Sequence, residues 1–389
     1  MKILPTLIYS ASALAFCASG ASPSTASTEK VLYNFPVDSY PAGRPDQDNK
    51  GALYGTADNL DGSGAIFRLK QKNGLWSNKT LFDFGGSRGA HPWSGPLIDR
   101  SSGILYGTTT YGGTGYGTVY DLAPAGRGWS EEVLHNFSGS DGSGPVGVLL
   151  KDKATGNLYG TTNYGATGNC GTAFQLVQVN GNWNFGTIYN FHGGSDACNP
   201  QTQLKPSAKA GTLIGATYGQ VFQLKERQGA WSDSIIYTLT YGTDGGNVWD
   251  LDASSDGAIY GVTNFYGQYG YGTVFKLTPN LKNKYTFSVI YSFRGGNDGA
   301  YGTGINFDAA SGNLYGATSG GGTGSQGTVF RLVPGGNGWT ETVLHSFVSG
   351  SDGAYPYSRP IVDRTTGALY GTTTRGGTND GGTVYMVQP

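Results

Sequence analysis

The sequence predicts an all-β fold: a seven-bladed β-propeller with four antiparallel strands per blade and an N-terminal strand completing the last blade. Three observations predict it. An LYGT-type segment recurs seven times. Each copy alternates short apolar runs with turn residues. A strand motif stands at the start of the chain, and its expected copy is missing at the end.

The recurring segment begins at Leu53, Leu105, Leu158, Leu213 (as LIGA), Ile259 (IYGV), Leu314 (LYGA) and Leu369, at spacings of 46 to 55 residues. A period near 50 is the mark of a propeller or a related array. The second repeat shows the four strands of a blade: GPLIDR, a turn at Ser101-Ser102-Gly103, ILYGTT, a glycine loop, GTVYDL, a polar loop and WSEEVLHNF. Period-two alternation between glycine-rich breaks favours strands over helices. The fourth copy is short because ATYGQVF lacks the glycine insertion present in TTTYGGTGYGTVY.

The outermost strand reads VLYNF (31–35), TLFDF (80–84), VLHNF (133–137), TIYNF (187–191), IIYTL (235–239), VIYSF (289–293) and VLHSF (343–347). The chain opens on this motif and stops after GTVYMV, before another copy. Val31 to Phe35 is therefore expected to pair into the last blade, which removes an open sheet edge.

Composition sets the outer limits. The 389 residues carry a formal net charge of −1, which leaves no electrostatic footprint for nucleic acid or anionic lipid. Glycine numbers 67 without a Gly-X-Y period, and 13% aromatic content argues against disorder. Lys2, the apolar run from Ile3 to Phe16 and the small residues Ala18 to Ala21 read as a secretory signal peptide over 1–21. A polar linker follows over 22–30, and then a single propeller over 31–389. Phe16 before Cys17 argues against a lipoprotein anchor. No later run reaches the ~20 apolar residues of a membrane span. The expectation is a secreted monomer, extracellular or periplasmic.

GGTGYGTVY, GQYGYGTVF and GGTGSQGTVF, each following an LYG-type strand, resemble the repeats of the Gloeobacter/Verrucomicrobia (GloVer) tandem-repeat family of secreted bacterial proteins. The resemblance covers nearly all of the chain after the signal segment. It implies a propeller-like extracellular protein, often tethered by a C-terminal anchor. Here the sequence ends at Pro389 without one, so free secretion is expected. The family supplies no catalytic motif to carry over.

Repeated residues read as architecture. Trp76, Trp129, Trp183, Trp231 and Trp339 open the outermost strands and are expected to pack. Asp99, Asp308 and Asp363 precede glycine turns. His135 and His345 take the place of Tyr33 and read as structural. A site must break the pattern. In the loop from each outermost strand to the next blade, an aspartate recurs as Asp141, Asp196, Asp244, Asp298 and Asp352, with Arg88 in its place in blade two. Turn capping is the plainer reading of these carboxylates. A ring holding Ca²⁺ is the sharper one, although no calcium-loop spacing occurs and no motif requires a cofactor. Three residues on, the position varies: His91, Gly144, Asn199, Asn247, Tyr301, Tyr355. These residues are expected around the axial mouth, with Asp38 and Tyr40 in similar roles in blade one.

Arg44, Arg359, Arg88 and Arg375 fall on three adjacent blades near one mouth, a set suited to a carboxylate, sulfate or phosphate. Pairing with the aspartate ring is the competing reading. Trp93 and Trp249 break the tryptophan pattern, and the glycine loops carry Tyr111, Tyr116, Tyr164, Tyr266 and Tyr269, as platforms for sugar rings or as packing between loops. Cys170 and Cys198 lie in loops of adjacent blades on one face and are expected to form a disulfide.

The leading functional expectation is binding of an extracellular, acidic carbohydrate at the axial mouth. The alternative is a polysaccharide lyase acting on a uronate, with Arg88, Arg44 or Arg359 neutralising the carboxylate and His91 or Tyr111 as base. Glycoside hydrolysis ranks below it, because no carboxylate pair stands apart. A protein-interaction scaffold is the third class. No nucleophile elbow occurs, and no helix follows the glycine runs as phosphate and dinucleotide loops require.

Overall fold

The computed structural model describes residues 27–194, 196–280 and 284–389. The signal segment, Cys17 and the first part of the linker lie outside the described residues. The described chain forms seven antiparallel sheets arranged as blades. Blade one comprises Asp46–Gln47, Leu53–Ala57, Ala65–Lys72 and Leu75–Asp83, from the axis outward. The next five repeat that order.

One contact explains why LYGT and GTVF occur together. A Cβ added at Gly55 would stand 2.4 Å from the Phe67 ring, at Gly107 2.3 Å from Tyr120, and at Gly261 2.1 Å from Phe275. The glycine of the second strand makes room for the aromatic of the third, and those rings are fully buried. The threonines that follow form buried hydroxyl pairs across the same strands. Thr109 meets Thr118 at 2.8 Å, Thr162 meets Thr172 at 2.9 Å, and Thr373 meets Thr383 at 2.9 Å. Cross-strand pairs of this kind fix register.

Each blade buries its face on the next. Every outer-strand tryptophan stacks edge-on against the LYG tyrosine of the preceding blade: Trp129 on Tyr54, Trp183 on Tyr106, Trp231 on Tyr159 and Trp339 on Tyr260, at 5.8 to 6.2 Å between centroids. Trp76 of blade one meets Tyr370 of blade seven in the same way at 6.2 Å. That contact makes the array a ring.

Blade seven closes as the sequence predicts. Thr28–Asn34 pairs antiparallel with Thr383–Gln388, from Thr28↔Gln388 to Asn34↔Thr383. The strand begins three residues before Val31, inside the segment read as linker. Phe35 behind it is fully buried against Phe67 of blade one, with centroids 4.9 Å apart.

The innermost strands differ in length, and this shapes the axis. They hold two residues each in blades one to four, but span Gly246–Ala253 in blade five and Gly299–Phe307 in blade six. In blade seven the strand is split into Ala354–Pro356 and Ile361–Val362. Pro45, Pro96 and Pro360 stand beside the short pieces, and proline offers no N–H to a ladder.

Candidate functional site

All seven blades contribute to one axial cavity of about 350 Å³. Its floor is a ring set by a simple count. Four residues before the turn position of each inner hairpin stand Arg44, Gly95, Val148, Gln203, Asp250, Gly304 and Arg359, and all but Gly304 line the cavity. Two residues further on, the next ring reads Asp46, Leu97, Leu150, Lys205, Asp252, Asn306 and Ile361. Period-two alternation sends both rings inward.

The floor is charged and closed. Arg359, 7% exposed, donates from Nη2 to Gln203 Oε1 at 2.9 Å, which joins blade seven to blade four. Lys205 Nζ donates to the same oxygen at 3.0 Å. Asp250 and Asp252 lie 3.7 and 3.6 Å from the Arg359 guanidinium, and Asp252 lies 3.5 Å from Lys205. Asp46 is engaged by Arg100 at 2.6 Å, away from the cavity. Arg44 has its Nε buried with no hydrogen-bond partner. Three cations, Arg44, Lys205 and Arg359, thus face Asp250 and Asp252, with Asp46 acting on Arg44 while paired to Arg100.

Burial and then repulsion from Arg359 pull the Lys205 ammonium down to about 7 and the Arg44 guanidinium down to about 10. Burial alone would raise Asp252, but Lys205 and Arg359 outweigh it and hold the carboxyl below its usual value. Glycines admit these large cations. A Cβ at Gly304 would stand 2.2 Å from Arg359 Cα, and one at Gly95 would stand 1.7 Å from the Arg44 carbonyl oxygen.

The mouth is aromatic. Trp93, Tyr111, Tyr164 and Tyr218 line it and are 39 to 59% exposed. Trp93 and Trp249 flank Tyr357 edge-on at 6.1 and 5.5 Å, and Trp249 Nε1 donates to the Tyr357 carbonyl at 3.4 Å. Tyr111 and Tyr164 are placed by isolated bridges to Ala90 and Ser143. Their carbonyls accept from Thr109 and Thr162 at 2.9 and 3.0 Å.

Arg44, Arg359, Trp93, Trp249, Tyr111 and Tyr164 therefore come together on the cavity. Arg88 does not join them: its guanidinium lies 4.8 Å over the Phe82 ring. Arg375 sits 4.5 Å over Tyr40 and 3.9 Å from Asp380. His91 stands outside the lining, edge-on to Tyr111 at 5.6 Å, with Nδ1 3.4 Å from Asp58. Tyr301 packs beside Phe265 and Tyr271, and Tyr355 is 39% exposed; neither lines the cavity. Gln203, Lys205, Asp250, Asp252, Tyr218 and Tyr357 also belong to the site, beyond the residues expected from the sequence. Counting back from the hairpin turns would have found the first four.

The variable loop position has a backbone cause. His91, Gly144, Asn199, Asn247, Tyr301 and Tyr355 all take left-handed φ values between 57° and 62°. Five of their N–H groups reach into the preceding blade's loop: His91 to the Ser63 carbonyl, Gly144 to Tyr116, Asn199 to Cys170, Tyr301 to Tyr271 and Tyr355 to Gln326, at 2.8 to 3.0 Å; in blade five the Val248 N–H takes this part, to Tyr218 at 2.9 Å. The ring is a set of inter-blade clasps, set back from the cavity, and only Gly144 of the six lines it.

The loop aspartates are turn caps. Asp298 accepts from the Arg294 N–H and the Tyr291 hydroxyl, both at 2.9 Å. Asp141 accepts from the Ser138 N–H at 2.8 Å and meets His135 Nε2 at 3.0 Å. Nothing in them is directed to an axial cation. Among the described residues, the one group with metal-ligand spacing is Glu29, His345 and Asp352, whose ligand atoms lie within 4.8 Å of one another. It sits at the closing seam, away from the cavity. Cys170 and Cys198 form a disulfide with a Cα–Cα distance of 4.5 Å, beside the Asn199 clasp. Such a bond suits an oxidising, non-cytoplasmic location. No helix among the described residues is long and apolar enough to cross a membrane.

Comparison with solved structures shows the fold. A GH74 enzyme of Niastella koreensis aligns at 16% identity and TM-score 0.60, covering 88% of this chain and 52% of that one. A candidate 6-phosphogluconolactonase of Bacteroides uniformis aligns at 14% identity and TM-score 0.52, covering 82% and 89%. A chain of the mitotic checkpoint complex aligns at 11% identity and TM-score 0.58, covering 99% and 98%. Neighbours so varied carry the architecture and no shared chemistry. No curated protein matches the sequence. The Gloeobacter/Verrucomicrobia repeat pattern matches residues 21–223 and 247–389. With seven copies of the repeat folded into seven blades, the chain belongs to the Gloeobacter/Verrucomicrobia repeat family.

Proposed function

We propose that the protein is a secreted binder of acidic extracellular carbohydrate, and that the ligand occupies the axial cavity. One observation carries the reading. A floor carrying Arg44, Arg359 and Lys205, with an Arg44 Nε that no group among the described residues satisfies, lies beneath a mouth of exposed aromatic rings. Guanidinium forks recognise carboxylates, and flat rings stack on sugars through their apolar faces. A small pocket with a few convergent polar groups is the usual form of such a site.

Two of the groups suited to β-elimination stand away from the cavity, while Tyr111, Arg44 and Arg359 remain on it and are tested by the absorbance measurement below. Arg88 is stacked on Phe82, and His91 faces Asp58 outside the cavity. Hydrolysis is disfavoured too. Asp250 is the one acid lining the cavity among the described residues, and it already accepts the Leu251 and Ile305 N–H groups; glycosidases need a carboxylate pair.

The test is calorimetric titration of the purified protein with uronate-containing and neutral oligosaccharides, with absorbance of unsaturated uronates followed in parallel. Saturable binding without absorbance supports a binder. An absorbance rise abolished in Tyr111→Phe would move the protein to the lyase class. No binding to any glycan would leave an interaction scaffold.

A further inference from the structure

The cavity is polar along its depth, and that polarity constrains how a ligand enters. Its aromatic groups are at the mouth, where Trp93 is 39% exposed. Its cations are at the bottom, where Arg359 is 7% exposed. The bottom is shut by Arg359, which crosses from blade seven to Gln203 Oε1 of blade four, where Lys205 of the same blade as Gln203 donates to the same oxygen. A volume of about 350 Å³ is at the small end of ligand pockets, which run about 300–1,000 Å³. A polymer cannot thread such a blind well. Only an end of it can enter.

We infer that the cavity is a chain-end site: the terminal uronate of an acidic glycan enters carboxylate first, to Arg44 and Arg359, and the rest of the chain leaves past Trp93 and Tyr111. This rests on the carbohydrate-binding reading and deepens it. The carboxylate would meet the Arg44 guanidinium from the cavity side and balance the charge that Lys205 gains on taking up a proton. Asp250 and Asp252 lie closest to Arg359 and Lys205, and they and Asp46 act on Arg44 from further away. A terminal sulfate offers similar oxyanion chemistry, and the experiment separates the two.

Lys205 provides a second handle. It faces Arg44, Arg359, Asp250 and Asp252, and its ammonium is pulled down to about 7 mainly by burial. An anion arriving at the floor should restore its proton. Binding at pH 7.5 is therefore expected to take up protons.

The experiment uses the full secreted chain and three matched trisaccharides: uronate at the non-reducing end, the same uronate internal, and the carboxyl-reduced neutral form. A terminally sulfated trisaccharide is the fourth arm. Calorimetry in two buffers of different ionisation enthalpy reads both affinity and proton uptake. The terminal uronate should bind about tenfold or more tighter than the internal and neutral forms, the scale of one charge-assisted hydrogen bond. Arg44→Gln should erase that preference while leaving the weak neutral binding; Arg44→Lys, which keeps the charge, should retain part of it. Equal affinity for terminal and internal uronates overturns the chain-end orientation while glycan binding stands; no proton uptake overturns the placing of the carboxylate beside Lys205. Tighter binding of the sulfated form assigns the floor to sulfate and overturns the uronate. Failure of every trisaccharide to bind overturns this inference together with the function it rests on.

Discussion

His345 Nε2 lies 3.0 Å from Asp352 Oδ1, in the place where the Tyr291 hydroxyl meets Asp298 one blade earlier. The two side chains do one job: each gives a hydrogen bond to the aspartate that caps the following loop. His345→Tyr is therefore expected to be tolerated, with a melting temperature near that of the parent. His345→Ala should cost about 1.5–3 kcal/mol, the scale of a hydrogen bond to a charged group. Thermal unfolding of both variants checks this, and a large loss in the tyrosine variant would refute the equivalence.

Ring closure depends on the first strand. Phe35 is fully buried between blades seven and one, so Phe35→Ala should cost about 3–5 kcal/mol. Removing residues 27–35 would bare the edge of Thr383–Gln388, and such edges associate. Size-exclusion chromatography should show oligomers or aggregate in place of the parent peak.

The disulfide joins residues 28 apart in sequence. Chain-entropy reasoning gives about 3–4 kcal/mol for a loop of that length. Denaturant melts of the double Cys170→Ser, Cys198→Ser variant should show a loss of that order, and the parent should shift equally under reductant.

Acids at three blade seams resist ionisation. Burial, then Asp352, raises Glu29 to about 7; burial, then Asp298, raises Glu341 to about 7; burial and Asp196 raise Asp233. Each holds its proton more tightly folded than unfolded. Their contribution is complete below the unfolded value, which for the glutamates is about 4.5, and is lost as pH rises towards 7. Melting temperature should fall between pH 5 and pH 8. Glu29→Gln and Glu341→Gln should flatten that fall. A parent curve that rises across this window contradicts the assignment.

The floor cations need the glycines beside them. With a Cβ at Gly304 2.2 Å from Arg359 Cα, Gly304→Ala must displace the Arg359 backbone. It should weaken acidic-glycan binding by about tenfold or more through lost forked hydrogen bonds, and also lower stability. Gly62→Ala, at a position with open space around it but a left-handed φ, should lower stability modestly and leave binding unchanged.

The ring, its closure, the tryptophan packing and the disulfide could all be read from the sequence, because each rests on a repeated motif or on loop placement that repeats fix. The floor could not. Arg359 and Gln203 are 156 residues apart, and their meeting depends on how far each inner strand projects, which proline and glycine set locally. Arg88 and Arg375 fall on the expected blades, but the rings of Phe82 and Tyr40 draw their guanidinium groups away from the axis. The variable loop position owes its place to a left-handed backbone clasp, and spacing alone does not reveal a φ value.

Thr28 stands opposite Gln388 in the closing sheet. The first described strand to leave the ribosome thus waits for the last before its sheet can form, and no stretch of nascent chain can complete the circle early. The closing sheet gains its outer strand only once Thr383–Gln388 has been made. Segments joined before Thr28 and after Gln388 would leave the ring from the same point on the rim.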